Sequence, residues 1–218
     1  MAFSTLNAVR ATLNSQLGID SDADNSFGSV TIRNAALQQA FAWLWPTMGR
    51  LQREDITLVA GEMEYDLATV RDVRLIDRLD STGVATSQIS GYRVLVDESD
   101  SANAPVYRLR LFSPQSTDGS ARAVGYTPYL VPASGTDTCD LPDRLLFIPV
   151  LGAKAQLYEN MLNKHIVSQQ RGSENPATSE STSELLAMYN TTWQKFVAAR
   201  ESNRAGLNLP RTASPRRK

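Results

Sequence analysis

Three carboxylates at alternate positions, Asp20, Asp22 and Asp24, are the first residues whose type and spacing suggest chemistry. They match the first, third and fifth positions of a calcium loop, where oxygen ligands converge on a hard cation. The match ends there. The sixth position is Asn25, where the loop needs a glycine bend, and the twelfth is Thr31, where it needs a bidentate glutamate. An acidic, solvated loop facing a basic neighbour is the preferred reading, and a cation site is the alternative. His165 is the only histidine and Cys139 the only cysteine, so a two-histidine metal centre and an internal disulfide are both ruled out. His165 falls beside an apolar stripe near a helix end and reads as a surface or helix-end residue, and Cys139 has no histidine motif around it. No Gly-x-x-x-x-Gly-Lys, His-Glu-x-x-His or Gly-x-Ser-x-Gly pattern occurs, and no glycine fingerprint follows a strand. No catalytic residue, metal ligand or cofactor is assigned, and a non-enzymatic protein is expected.

The remaining chemistry lies at the C-terminus. Leu207, Leu209 and Pro210 form an extended apolar handle, and Arg211, Arg216, Arg217 and Lys218 are charge-assisted donors for carboxylates or phosphates. From Arg200 onward six basic residues face one acid, Glu201, a local charge of +5; with −1 for the whole chain, residues 1–199 carry −6. Such a segment suits an arm that orders on binding a partner subunit. A frayed, solvated terminus and a non-specific contact to DNA phosphates are the other readings.

The totals limit the classes open to the rest. A 218-residue chain with 42% hydrophobic and 21% charged residues is ordinary globular composition, long enough for one core or one core with an inserted lobe. Near-neutral net charge argues against a surface coated for nucleic acid. The start, Met-Ala-Phe-Ser, lacks a basic segment followed by an apolar run, so no secretory leader is expected. The most apolar window, residues 145–153, contains Pro149 and Gly152 and is too short to span a bilayer.

The elements that must carry the arm follow from periodicity. Ser4–Leu17 reads as a helix capped by Ser4, with Leu6, Val9, Leu13 and Leu17 on one side. Ser29–Leu44 reads as a second, burying Ile32, Ala36, Leu37, Ala40, Phe41 and Leu44, and ends before Pro46. Trp43 and Trp45 read as packing residues rather than a ligand platform. From Glu54 the period falls to two. Residues 56–59 and 63–67 suggest a hairpin about Gly61, and strands follow at 73–79, 91–96, 106–112 and 121–126. Helical period returns after Pro142. Pro149 suits a first helical position, and Leu151, Ala155, Tyr158, Leu162 and Ile166 make a stripe. Ser181 to Glu184 has capping-box spacing for a last helix with Leu186, Tyr189, Trp193 and Phe196 on its apolar face. The expected fold is α+β: a helical bundle of two N-terminal and two long C-terminal helices, an inserted small antiparallel sheet or barrel lobe, and an extended C-terminal arm. The expected boundaries are 1–50, 51–141, 142–204 and 205–218. Leu151, Tyr158, Leu162, Leu186, Tyr189, Trp193 and Phe196 are assigned to packing of the helical lobe.

A helix ending in an aromatic-Pro segment, then the run from Ile56 to Leu67 (Thr57, Ala60, Gly61, Tyr65 and Leu67 within it), then the run from Val70 to Ile76, resembles the head-to-tail adaptor, or connector, proteins of tailed bacteriophages. In that family a hairpin of the form Thr-x-x-x-Ala-Gly-x-x-x-Tyr-x-Leu commonly follows the early helices. A Leu-Pro step like Leu141-Pro142 then leads into two closing helices and a C-terminal extension. Ala68-Thr69 follows Leu67 where the family often has a proline. The resemblance implies a virion neck protein assembled in the host bacterial cytoplasm. It implies a homo-oligomeric ring, usually a dodecamer, docked beneath the portal. The arm of each subunit (Leu207, Leu209, Pro210, Arg211, Arg216, Arg217 and Lys218) would bind the portal. A tail or stopper protein would sit below, and genome DNA would pass through the lumen at ejection, with no membrane involved. A peptide- or nucleic-acid-binding module, a β lobe carried on a helical bundle, is the alternative.

Overall fold

The computed structural model describes residues 4–97, 105–170 and 182–204. It divides into two compact units: a helical unit made from residues 1–48 and 129–218, and a β unit made from residues 49–128. The helical unit holds α1 (Leu6–Leu17), α2 (Val30–Ala42), a single 3-10 turn (Asp143–Leu145), α3 (Phe147–Gln170) and α4 (Thr182–Ser202). The β unit holds β1 (Arg50–Leu58), β2 (Glu64–Leu67), β3 (Asp72–Leu79), β4 (Ala85–Gln88), β5 (Tyr92–Asp97), β6 (Val106–Leu111) and β7 (Gly119–Thr127). The α+β class is as expected: four helices and an antiparallel β lobe.

In the helical unit the termini of each helix explain its length. The Thr5 hydroxyl accepts from the Ala8 amide, and Gly18 closes α1 in the left-handed conformation that lacks a Cβ penalty. Thr5 therefore takes the cap expected of Ser4, whose amide and hydroxyl instead donate to the Asp143 carboxylate at 3.1 and 3.0 Å. The Ser29 hydroxyl caps α2. Leu6, Val9 and Leu13 from α1 meet Leu37, Ala40 and Phe41 from α2 and Ile148, Ala153 and Leu157 from α3 in one core.

α4 seals this core through Phe196, which is fully buried. The contact requires Gly152: a Cβ there would come within 2.9 Å of the Ala40 methyl and 3.1 Å of the Phe196 ring. Around Phe196 stands an aromatic group. Trp43 meets Trp193 edge-on at 5.3 Å, Trp193 meets Phe196 at 5.3 Å, and Tyr189 stacks on Trp193 at 6.4 Å. Each such pair adds about 0.5–1.5 kcal/mol beyond burial.

Four expectations are corrected here. Leu186 is 44% exposed, and Leu185, Thr192 and Phe196 form the buried face of α4. Ile32 and Ile166 are likewise on the solvent side. Pro149 is the third residue of α3, not the first. Residues 129–141 belong with the helices rather than the β lobe. Leu6 and Cys139 amides donate to Asp137 and Ser4 carbonyls across that segment, and Cys139 and Leu141 lie in the helical core. Of the other residues assigned to packing, Tyr158 is buried, and Leu151, Leu162, Tyr189 and Trp193 are half-buried.

The β unit is two antiparallel sheets sharing one core, in the orders β1-β7-β3-β4 and β2-β6-β5. Ile56, Leu58, Ile76, Ala121 and Ala123 from the first face Tyr65, Leu67, Leu109 and Leu111 from the second. The alternation along β6 puts Leu109 and Leu111 inside, as the period of two requires. β1 and β2 are not the hairpin expected: β1 pairs with β7 and β2 with β6. Their connecting turn is held elsewhere, with the Gly61 amide donating to the Gln115 carbonyl at 3.0 Å.

The two sheets are also joined at the end of β2 by Glu54. Its carboxylate accepts from the Ala68, Thr69 and Val70 amides at 2.6, 2.9 and 2.9 Å. Burial pushes the Glu54 carboxyl up, but the Val70, Ala68 and Thr69 amides outweigh it and hold the group below its usual range.

Two outcomes test this packing. Phe196→Ala should cost about 3–5 kcal/mol in urea unfolding, whereas Leu186→Ala should cost less than about 0.5 kcal/mol. For Glu54, the lowered folded-state value means that its stabilisation is present above the ordinary carboxylate range and is lost as pH falls through the lowered value. Glu54→Gln should therefore lower the urea midpoint at neutral pH, and the gap to wild type should narrow as the solution is acidified below about pH 4.

Candidate functional site

The residues with the most chemical potential in the sequence end up in three different settings. The first is the Asp20–Asp24 loop, which closes around a guanidinium. Arg33, on the inner face of α2, is fully buried. Its Nη1 donates to the Asp24 and Gly28 carbonyls at 2.7 and 2.6 Å, and its Nη2 to the Asp22 carbonyl at 3.2 Å. Asp22 Oδ1 lies 3.5 Å from Nη2. Arg10 reaches the same carboxylate from α1 at 2.8 Å, and the Asn14 amide donates to it at 3.0 Å. The Arg10 hydrogen bond, with those of Asn14 and the charge of Arg33, holds the Asp22 carboxyl below its usual range. Asp24 accepts from the Ser26 amide in its own turn. A fixed cation thus stands among the oxygens that a calcium loop would aim at an ion. Among the described residues no group of three His, Cys, Asp or Glu side chains is placed to hold a metal. Beside the loop lies an open cleft of about 500 Å³, lined by Asn7, Arg10, Asn14, Gly18 and Asp20.

The second setting is the root of the basic arm. Leu207, Leu209, Pro210, Arg211, Arg216, Arg217 and Lys218 lie outside the described residues. What precedes them is anchored. Arg200 donates to the Trp43 carbonyl at 3.0 Å and lies over the Phe196 ring, 5.6 Å from its centroid. The first cation of the C-terminal run therefore works within the helical unit. Ile166 and Val167 near the end of α3, and Leu186 and Met188 near the start of α4, are exposed apolar side chains.

The third setting is the side of the β unit where β1 and β2 stand as sheet edges. An open cleft of about 540 Å³ there is lined by Asp55, Ile56 and Thr57 from β1, Glu62 from the turn, Glu64, Tyr65 and Asp66 from β2, and Arg108 from β6. Three carboxylates make cross-strand pairs: Asp55 with Arg122 at 2.6 and 3.0 Å, Glu64 with Arg110 at 3.5 Å, and Asp66 with Arg108 at 3.2 Å.

Cys139 lies in the helical core. Burial, with Asp140 and Asp143 nearby, pushes the Cys139 thiol up to about 11, far from a nucleophile's range. His165 is half-buried within α3. No helix among the described residues is long and apolar enough to cross a membrane.

No protein-family model matches the chain, and no curated protein matches it. Sequence reasoning missed Arg33, although a signal was present. It lies three, four and seven residues before Ala36, Leu37 and Ala40, on the stripe that α2 buries, and directly after the acidic loop.

Removal of the guanidinium tests the loop's organisation. Arg33→Met should destabilise the chain by about 3–5 kcal/mol in urea unfolding, as expected when one partner of a buried polar network is removed. Arg33→Lys should recover little of that loss, because one ammonium cannot reproduce the fork that spans the carbonyls.

Proposed function

We propose that this chain is a structural virion protein, a head-to-tail adaptor of a tailed bacteriophage. In this reading it forms an oligomeric ring on the portal, links it to a tail or stopper protein, and lets genome DNA pass through the lumen. The observation that carries the reading is the order of elements about the residue 56–76 motif: two early helices, an inserted β unit, two closing helices and a basic C-terminal extension.

The helical unit would pack neighbour against neighbour, and the exposed Ile166, Val167, Leu186 and Met188 suit such contacts. The β unit would present the tail-side surface. The arm would fasten each subunit to the portal, its ordering cost offset by contacts made on binding. Repetition around a ring turns modest contacts into high avidity. A net charge of −6 over residues 1–199 favours a lumen along which duplex slides rather than sticks.

The test is light scattering on the purified chain, alone and with the portal protein encoded in the same genome. A ring-sized complex with the portal is expected, and a chain whose mass is indifferent to the portal would overturn the reading. Deletion of residues 206–218 should abolish portal capture while shifting Tm by less than about 2 °C.

A further inference from the structure

The β unit leaves two strand edges open side by side. Among the described residues β1 is laddered to β7 alone and β2 to β6 alone. Three consecutive residues of each strand, 55–57 and 64–66, line the same cleft. Successive side chains of a strand point to opposite faces, so a cleft that meets three in a row meets the edge and not one face. Such an edge offers unpaired backbone donors and acceptors to any extended segment that fits.

The side chains around the edges select the segment. Ile56 and Tyr65, both nearly buried, form an apolar floor. Around it stand Asp55, Glu62, Glu64 and Asp66, with Arg108 as the one cation in the lining. Asp66, its side chain 80% exposed, pairs with Arg108 at 3.2 Å, and Glu64 pairs with Arg110 at 3.5 Å. Glu62 has no ion pair among the described residues. These carboxylates keep acceptor sites for a second donor. Neither stretch carries the lysine or proline that commonly blunts an edge. An acidic edge repels another acidic edge and admits a basic strand.

The chain itself contains a segment of that kind. Residues 205–218 carry four cations and no acid, and Leu207 and Leu209 alternate about Asn208 with strand period. Extended at roughly 3.3 Å per residue, such a segment outreaches the cleft several times over.

We propose that the C-terminal segment of one copy adds as a strand at the β1/β2 edge cleft of a second copy. Leu207 and Leu209 cover Ile56 and Tyr65, and the cations that follow lie along Glu62, Glu64 and Asp66. The inference goes beyond the adaptor reading and does not need it; a portal that takes the same segment competes with the cleft.

Sedimentation velocity of the full chain, over a wide concentration range, tests it. Reversible self-association is expected, weakened at least about tenfold when salt rises from about 0.05 to 0.5 M. Glu62→Lys with Asp66→Lys should weaken it about tenfold or more, and so should Arg216→Glu with Arg217→Glu and Lys218→Glu. Combining the two sets should restore association to within about threefold of wild type, since each set then meets opposite charge again. A chain that stays monomeric, including one whose segment folds onto its own subunit, overturns the proposal. So does association indifferent to both sets, or a combination no tighter than either set alone. Portal capture separates the two readings. Capture kept while Glu62→Lys with Asp66→Lys abolishes self-association supports the cleft as a self-docking site. Capture lost with self-association intact assigns the cleft to the portal and overturns the inference.

Discussion

The helical unit depends on a close approach that admits no side chain. Its two halves are separated in sequence by the whole of Gly49–Pro128, so nothing local brings α1 and α2 to α3 and α4. Closing so long a connection carries an entropic cost that only dense contact between the halves can offset. That contact forms where α3 passes Ala40 on one side and Phe196 on the other, with Gly152 between them. Glycine in a helix interior costs roughly 0.5–1 kcal/mol against alanine. Here it allows a fully buried phenylalanine to close the core and to gather Trp43 and Trp193 around it. The Arg200 bond to the Trp43 carbonyl ties α4 to the end of α2 at the same place. The chain after Ser202 therefore departs from a fixed point.

The arginines show how little a count of charges says about binding. Arg33 satisfies carbonyls that would otherwise be buried without donors, and Arg10 shares its carboxylate. Arg108, Arg110 and Arg122 each cross a strand to an acid. Exposed cross-strand pairs of this sort contribute little individually, yet they neutralise much of the β unit's surface and fix its register. Glu62, at the turn between β1 and β2, has no ion pair among the described residues.

Much of the fold was legible because its elements bury one face each. The four helices and six of the seven strands described follow from period alone, and α+β follows from their order. The errors have physical causes. On α4, residues 186, 189, 193 and 196 satisfy the helical spacing as well as 185, 192 and 196 do, and the polar Thr192 disguised the true face. β4 is exposed at every position, so no alternation could mark it. Residues 129–141 show no regular period; they join the helical unit through backbone bonds, the Thr5–Thr138 bridge and the buried Cys139 and Leu141, a pattern that no helical or strand period marks. The β1–β2 hairpin was the natural reading of two runs flanking a glycine. Hydrogen bonding of that turn to Gln115 sends the strands to different sheets instead.

That last difference bears most on function. A hairpin would have used the facing edges of β1 and β2 on each other. Dividing them between two sheets leaves both edges open along a shared cleft, with acids where an incoming strand's side chains would fall. Most proteins blunt such edges, because they template pairing with other chains. An open pair kept acidic, on a chain whose final residues are basic and strand-patterned, discriminates by charge before any contact is made. In the proposed self-association, recognition would reside in the edge geometry of the β unit.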